Sequence, residues 1–191
     1  MNLHYRLAPE FPFPAAFDDC VAAIRWVVDN IAQYGGDPAR LAVGGDSADG
    51  NRTAAARAEL SGDPRVNVKA ALLICPALDF ANMDTEGAAL PNGANMVEMM
   101  MGSYIGHDRE ALIKDWRVSP IHAAARLPPL HLMCGTADGL MADANALVAK
   151  LRSANKHCSN DRVLAPAPVR RRGYALSLQE ALPAHRSSAV G

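Results

Sequence analysis

The run Gly45-Asp46-Ser47-Ala48-Asp49-Gly50-Asn51 follows the short apolar segment Leu41-Ala42-Val43 and leads into an alanine-rich stretch. A strand that ends at Gly-x-Ser and turns at once into a helix has the layout of a nucleophile elbow. Such a turn strains the serine, lifts its hydroxyl above the sheet edge and requires very small side chains two positions before and after it. Gly45 meets this requirement, whereas Asp49 stands where the motif has glycine. The heptad therefore predicts a nucleophilic serine in a turn that carries one unfavourable residue.

The composition is that of a folded domain. The 191 residues suffice for one domain with a core, and half of them are apolar while a fifth are charged. A net charge of −1 gives no electrostatic basis for binding nucleic acid or an anionic membrane, and the basic cluster at 170–172 is interpreted as a solvated turn. The sequence contains no apolar stretch of membrane-spanning length, and its first residues do not resemble a signal peptide.

The cysteines give no sign of a metal site. Cys20, Cys75, Cys134 and Cys158 lie far apart, without CxxC or Cys/His ligand spacing. Cys75 and Cys134 lie inside apolar runs, where a free cysteine behaves as a small hydrophobic residue. We therefore expect four reduced thiols in a cytoplasmic protein, with no metal bound.

Short apolar runs alternate with segments of helical periodicity, which is typical of a parallel sheet with flanking helices. The predicted strands are 41–44, 66–75 and 130–134, with 162–168 as a weak edge candidate because of its prolines. The predicted helices are 15–34, 54–60 (continuing the helix that the serine turn opens) and 143–153. The proline-rich residues 5–14 are predicted to form a loop.

A long insert, at about 80–126, separates the second and third predicted strands. It carries the methionines Met83, Met96, Met99, Met100 and Met101. A methionine-rich surface is adaptable and suits a lipid-like substrate pocket. Ordinary packing in a helical core is the alternative that we favour, because methionine stripes usually serve only to pack.

Several motifs, in order, resemble the hormone-sensitive-lipase-like family of α/β-hydrolase carboxylesterases. Tyr5-Arg6-Leu7-Ala8-Pro9-Glu10 resembles the segment before that family's first long helix, and Gly45-Asp46-Ser47-Ala48 resembles its nucleophile turn. Gly135-Thr136-Ala137-Asp138-Gly139-Leu140 resembles its acid loop. The resemblance implies a partial α/β-hydrolase fold: a mostly parallel sheet with flanking helices and a helical cap at about 80–126. It also implies one N-terminally truncated domain over 1–191.

By this resemblance Ser47 is the nucleophile, Asp138 is the acid that orients the base, and Ala48 supplies one backbone oxyanion donor. A serine hydroxyl needs a histidine to take its proton, and the resulting imidazolium needs a fixed carboxylate. Asp138 follows an apolar strand and a glycine, at the end of a parallel sheet where ligands bind. Capping of the next helix is the alternative role for Asp138. The expected partner is a small-molecule ester, and serine esterases need no cofactor.

Two departures weaken the catalytic interpretation near the serine. The family's His-Gly-Gly oxyanion motif precedes the segment that begins at Tyr5, and these residues contain no such motif. Each lost oxyanion donor costs about 10²–10³ in turnover. Asp49 adds bulk and negative charge beside the nucleophile, and Arg52, one helical turn later, is a candidate ion-pair partner for it.

The proton acceptor is the third departure. The family's histidine precedes a Gly-aromatic pair near the C-terminus, and here Arg172 precedes Gly173-Tyr174. A guanidinium stays protonated at any working pH, so it cannot accept the serine proton. His157 comes too early in the chain and His185 too late, and both are interpreted as surface histidines.

Two hypotheses of different classes remain open. In the first, the chain is a serine carboxylic-ester hydrolase of small or short-acyl esters, impaired by these departures. In the second, it is a catalytically silent truncated relative, either a pseudoenzyme binding module or a gene remnant. Under either hypothesis we expect an exposed apolar sheet edge at the strand that begins at Leu41, and self-association through that edge.

Overall fold

A parallel sheet organises the chain in the computed structural model, which describes residues 1–83, 90, 92–106 and 108–163. Its strands are β1 (Leu41–Asp46), β2 (Val68–Ile74), β3 (Leu130–Gly135) and β4 (Cys158–Val163). Their order in space is the order in the chain, and each neighbouring pair runs parallel. A parallel pair needs a crossover connection, so helical segments separate the strands. The predicted α/β class is confirmed.

The helices are α1 (Ala15–Asn30), α2 (Ala48–Glu59), α3 (Met96–Ile105), α4 (Arg109–Leu112) and α5 (Met141–Ser153). Helix α1 is followed by a 3₁₀ turn that stops at Gly35, whose φ of 78° is left-handed and suits glycine. Helices α3 and α4 fall between β2 and β3, inside the predicted insert. Their role as a cap over a substrate stays a prediction.

The core lies on one face of the sheet, against α2 and α5. Alternate residues of β3 (Leu130, Leu132 and Cys134) are buried in it, while His131 and Met133 on the opposite face are only partly buried. Helix α1 packs against α2 in a second cluster that includes Phe17 and Val21. This alternation has the two-residue period of a strand covered on one side.

The fourth strand begins earlier than predicted. It starts at Cys158, which pairs with Leu130, whereas the sequence predicted a strand over 162–168. Residues 159–161 are polar, so this edge strand does not show the apolar pattern by which strands are predicted. Pairing with β3 compensates for the weak strand propensity of these residues. Residues 164–168 lie outside the described part of the chain.

Strand β1 is an edge of the sheet that the described residues form, and it pairs only with β2. The burial of its residues alternates, with Ala42 and Gly44 exposed. Self-association through this edge stays a prediction. Within the described ranges, the helices are too short or too polar to cross a membrane.

Candidate active site

Ser47 occupies a strained turn between β1 and α2. Its φ of 51° and ψ of −112° lie outside the regions that a residue with a Cβ normally adopts. The N–H of Ser47 donates to the carbonyl of Ile74 over 2.9 Å, and the carbonyl of Ser47 accepts from Asn51 and Ala77 at 3.1 and 3.3 Å. The turn is therefore fixed by both its own helix and the neighbouring strand. The predicted conformation of Ser47 is confirmed, and its chemical role stays a prediction.

Gly45 and Gly50 are the positions in the turn where a side chain would clash with neighbouring atoms. A Cβ added to Gly45 would lie 2.5 Å from the carbonyl oxygen of Asp49, and one added to Gly50 would lie 2.9 Å from Cβ of Pro76. The side chain of Asp49, in contrast, is exposed and accepts a hydrogen bond from the Tyr5 hydroxyl. The expectation that the Asp49 side chain overfills the turn is therefore wrong, because this side chain points to the surface.

The expected Asp49–Arg52 ion pair is also wrong. Arg52 turns inward and is only 6% exposed; it donates to Asn51 Oδ1, and its guanidinium carbon lies 3.8 Å from the ring centroid of Tyr104. A cation over an aromatic face is attracted by the ring quadrupole, which compensates for the burial of the charge. The Tyr5 hydroxyl binds Asp49 instead, and burial together with this hydrogen bond raises the pKa of Tyr5.

Two buried polar side chains, which the sequence analysis missed, brace the loop after β2. Asn51 is fully buried, and its Nδ2 donates to the carbonyls of Ala77 and Val118 at 2.7 and 2.8 Å. Asp143 in α5 accepts from the N–H groups of Leu78 and Asp79 at 2.7 and 2.9 Å. Burial raises the pKa of Asp143, and the two backbone donors oppose that rise.

Asp138 lies just beyond the carboxyl end of β3, where the sequence predicted it. Its Oδ1 accepts from the N–H of Leu140 over 2.8 Å, and its backbone carbonyl accepts from Met141, the first residue of α5. Leu140 is the N-cap residue of α5 and this helix has no side-chain cap hydrogen bond, so the structure does not support the capping alternative, and the catalytic role of Asp138 stays a prediction. The local bond also fixes the orientation of the carboxylate.

Ser47 and Asp138 lie at the same edge of the sheet, with β2 between their strands. Neighbouring strands are about 4.8 Å apart, so this order separates the ends of β1 and β3 by about 10 Å. Burial raises the pKa of Asp46, and the negative charges of Asp49 and Asp138 raise it further. Three carboxylates therefore share the edge that carries Ser47.

Two cysteines join Asp138 at this edge. The Sγ atoms of Cys75 and Cys134 and a carboxylate oxygen of Asp138 all lie within 4.8 Å of one another. All four cysteines are free thiols, and the hydrogen bond between Cys134 and Cys75 lowers the pKa of Cys75. Spacing along the chain could not reveal this group, because its members come from the ends of two different strands.

The described histidines leave the serine without an imidazole partner. His131 bridges Ser159, 2.7 Å from its Nδ1, and Asp161, 3.2 Å from its Nε2, on the face of the sheet. His157 is exposed just before β4, at the opposite end of the sheet from Ser47. No hydrogen bond joins Ser47 to a histidine within the described ranges, and Arg172 and His185 fall outside them.

A cleft of about 390 Å³ opens beside Ala48, the residue after the serine. Met99 and Met100 of α3 line it and are 58% and 55% exposed, while Met101 of the same helix is buried. The favoured interpretation of the methionines as core is therefore wrong for Met99 and Met100, and it is right for Met101. A larger polar groove elsewhere, lined by residues such as Trp116 and His122, contains none of the predicted site residues.

The alpha/beta hydrolase fold family matches the chain over residues 1–164. The chain belongs to this family. Carboxylesterase NlhH of Mycobacterium tuberculosis is 59% identical to this hydrolase-fold chain over 54 residues, which make up 28% of the chain and 17% of NlhH. Esterase LipQ of the same organism is 32% identical over 172 residues, covering 81% of the chain and 38% of LipQ.

Solved esterases show the same fold. The crystal structure of EstE1, a thermostable carboxylesterase from a metagenomic library, matches with a TM-score of 0.74 at 29% identity. That match covers 85% of this hydrolase-fold chain and 57% of EstE1. The chain therefore spans little more than half the length of this solved relative. With the curated esterases, these findings confirm the predicted hormone-sensitive-lipase-like family.

Proposed function

We propose that the chain is a serine carboxylic-ester hydrolase of small or short-acyl esters, with activity well below that of a complete site. The observation that carries the proposal is the conformation of Ser47, at φ 51° and ψ −112° between a strand and a helix. Such strain persists only where the surroundings impose it, and it is concentrated at functional sites. Membership of an esterase-rich family supports the same chemistry.

In the proposed reaction Ser47 Oγ forms a bond to the acyl carbon, the ester C–O bond breaks, and the alcohol leaves with a proton. Water then hydrolyses the acyl-enzyme and restores the serine. The N–H of Ala48 would stabilise the oxyanion, because the first N–H groups of α2 have no partner within the helix and lie at its positive end. Asp138 would orient the base that accepts the serine proton.

The cleft beside Ala48 suits an acyl group of modest size. Its volume is about 390 Å³, and Met99, Met100, Tyr5 and Tyr104 contribute to its lining. Flexible thioether side chains adapt to different apolar shapes, which favours breadth of substrate over strict selectivity. We therefore expect short acyl chains to be accepted with little discrimination among them.

Impairment follows from the charges near Ser47 and from the residue that stands at the position of the family's base. Asp46 interacts with the negative charges of Asp49 and Asp138, and carboxylates beside Ser47 would oppose the negative charge that develops on the oxyanion. Arg172, which stands at the position of the family's histidine, cannot accept a proton. Loss of one member of a catalytic triad costs nearly as much as loss of all of them. These same observations favour the second candidate, a catalytically silent relative that retains only the binding cleft.

Hydrolysis of p-nitrophenyl acetate by the purified chain tests the proposal against this second candidate. Ser47→Ala removes the nucleophile, and Ser153→Ala is a matched control because Ser153 is an exposed residue at the end of α5 that donates a hydrogen bond to the carbonyl of Ala149 in the same helix. The proposal predicts faster hydrolysis by the wild type and Ser153→Ala than by Ser47→Ala. Equal rates for all three would leave the silent relative as the function of this chain.

We also propose a cytoplasmic protein that associates with itself. The four free thiols support a reducing compartment, and the edge position of β1 supports association.

A further inference from the structure

Cys75, Cys134 and Asp138 form a three-residue cluster at the carboxyl edge of the sheet. Their ligand atoms lie within 4.8 Å of one another, although Cys75 follows β2 and the other two come from the end of β3 and the loop after it. Ile74 lies opposite Met133 in the β2–β3 register. Cys75 directly follows Ile74 and Cys134 directly follows Met133, so strand pairing places the two cysteines side by side. The cluster is therefore held by the sheet itself.

The spacing is close to that of a tetrahedral metal site. Two thiolates bound to zinc at about 2.3 Å each lie about 3.8 Å apart. The three atoms here need to approach one another by no more than about 1 Å, given that their separations do not exceed 4.8 Å. Cys134 is fully buried, whereas Cys75 and Asp138 are half-buried, so the cluster is open to solvent on one side. A fourth ligand would come from that side.

The surrounding charge favours a cation. Asp46 lies near enough to Asp138 to interact with its charge, which adds a further carboxylate to this edge. The backbone at Cys75 has a φ of 38°, which is disfavoured for a residue with a side chain, and it is held there by a 2.8 Å hydrogen bond from its N–H to the carbonyl of Met133. A strained residue beside a second thiol and a carboxylate is an independent sign of a functional position.

We propose that Cys75, Cys134 and Asp138 bind a thiophilic divalent cation of the zinc class, with a water molecule as the fourth ligand. Each coordinated thiol releases its proton to solvent, since the thiolate is the ligand. The consequence for catalysis rests on the proposed function. A metal ion bound to the carboxylate of Asp138 prevents this carboxylate from orienting the base. The bound cation is therefore an inhibitor of ester hydrolysis.

Cobalt(II) titration of the reduced, metal-free chain tests the site directly. Thiolate-bound cobalt gives near-ultraviolet charge-transfer bands that do not depend on esterase activity. We expect these bands to saturate at one cobalt per chain and to disappear when zinc is added. Cys75→Ser and Asp138→Asn should weaken cobalt binding by about 100-fold or more, because each removes one of three protein ligands.

Cys158→Ser is the matched control, because Cys158 pairs with Leu130 at the far end of the sheet. It should leave the cobalt spectrum and stoichiometry unchanged. Cys75 is substituted rather than Cys134, because a change at the fully buried Cys134 could prevent folding. Absence of thiolate bands in the wild type, or an unchanged cobalt affinity in Cys75→Ser, would overturn the site. Cobalt bands in a chain without esterase activity would instead contradict the proposed function and leave the metal site standing.

Discussion

The hydroxyl of Tyr5 donates a hydrogen bond to the carboxylate of Asp49, which ties the N-terminal segment to the first turn of α2. The two residues belong to separate motifs, and in the fold they meet beside Ser47. Asp49, which replaces the glycine of the usual turn, is thus accommodated by a specific partner. The burial of Tyr5 and the charge of Asp49 both raise the pKa of Tyr5, as expected for a phenol that donates to an anion.

We expect Tyr5 and Asp49 to be energetically coupled. Tyr5→Phe and Asp49→Ala should each reduce the free energy of unfolding by about 1 kcal/mol, the usual net contribution of one hydrogen bond. The double variant should lose less than the sum of the two, because the same bond is removed twice. Urea unfolding of the four proteins measures this coupling. Strictly additive losses would mean that the contact has no energetic role.

Gly45→Ala should destabilise the turn by about 1–3 kcal/mol, because the added Cβ would lie 2.5 Å from the carbonyl oxygen of Asp49. Gly102→Ala is the matched control: it lies within α3 with nothing within 4 Å of its added Cβ, so it should be neutral or slightly stabilising. Thermal unfolding compares the two variants. Equal midpoints for Gly45→Ala and the wild type would show that the turn has room for a Cβ at this position.

Asp143 should make stability depend on pH. Burial raises its pKa in the folded state above the ordinary value of 3.8, so the folded chain binds more protons there than the unfolded chain. Stability from this group is therefore largest below pH 3.8 and falls as the pH rises through the folded-state pKa. Asp143→Asn keeps an acceptor oxygen for Leu78 and Asp79 and should lack this decline.

Urea unfolding of the wild type and Asp143→Asn across the acidic range measures the difference. Asp143→Ala should lose about 1–3 kcal/mol at every pH, because it leaves the buried N–H of Leu78 and the partly buried N–H of Asp79 without their acceptor. A pH profile for Asp143→Asn that is parallel to the wild type would contradict the assigned origin of the pKa rise.

The exposed edge of β1 should support association between copies of the chain. Ala42→Lys places a charge on this edge and should shift the chain toward monomer in sedimentation velocity, because charged residues disfavour strand pairing. Ala149→Lys, on the exposed side of α5, is the control and should leave the association unchanged. A wild-type chain that stays monomeric at high concentration would refute the association itself.

Local patterns predicted the strands and helices that carry strong periodicity. Residues 41–44, 66–75 and 130–134 predicted β1, β2 and β3 to within a few residues, because buried parallel strands are continuous apolar runs. Strand β4 was misplaced because its polar residues are held by pairing with β3 rather than by burial. The position of β4 therefore depends on tertiary contacts rather than on the local sequence.

The turn at Ser47 was predictable because its signal is local: a glycine, a serine and an alanine-rich helix in one run. The brace formed by Asn51 and Asp143 was not, since a buried polar residue on a helix looks like a surface residue until its partners are known. The proximity of Cys75 and Cys134 was also not predictable, because only the register between β2 and β3 brings the two residues together. The inward orientation of the Arg52 side chain was not predictable either, because it depends on a contact with Tyr104 in α3.

Labelling with a fluorophosphonate, located by mass spectrometry, tests the central claim that Ser47 is an activated nucleophile held in a strained turn. We predict covalent modification of Ser47 in the folded chain, and loss of this modification once urea has unfolded the turn. Absence of label at Ser47, or equal labelling of Ser47 and Ser153 in the folded chain, would contradict it.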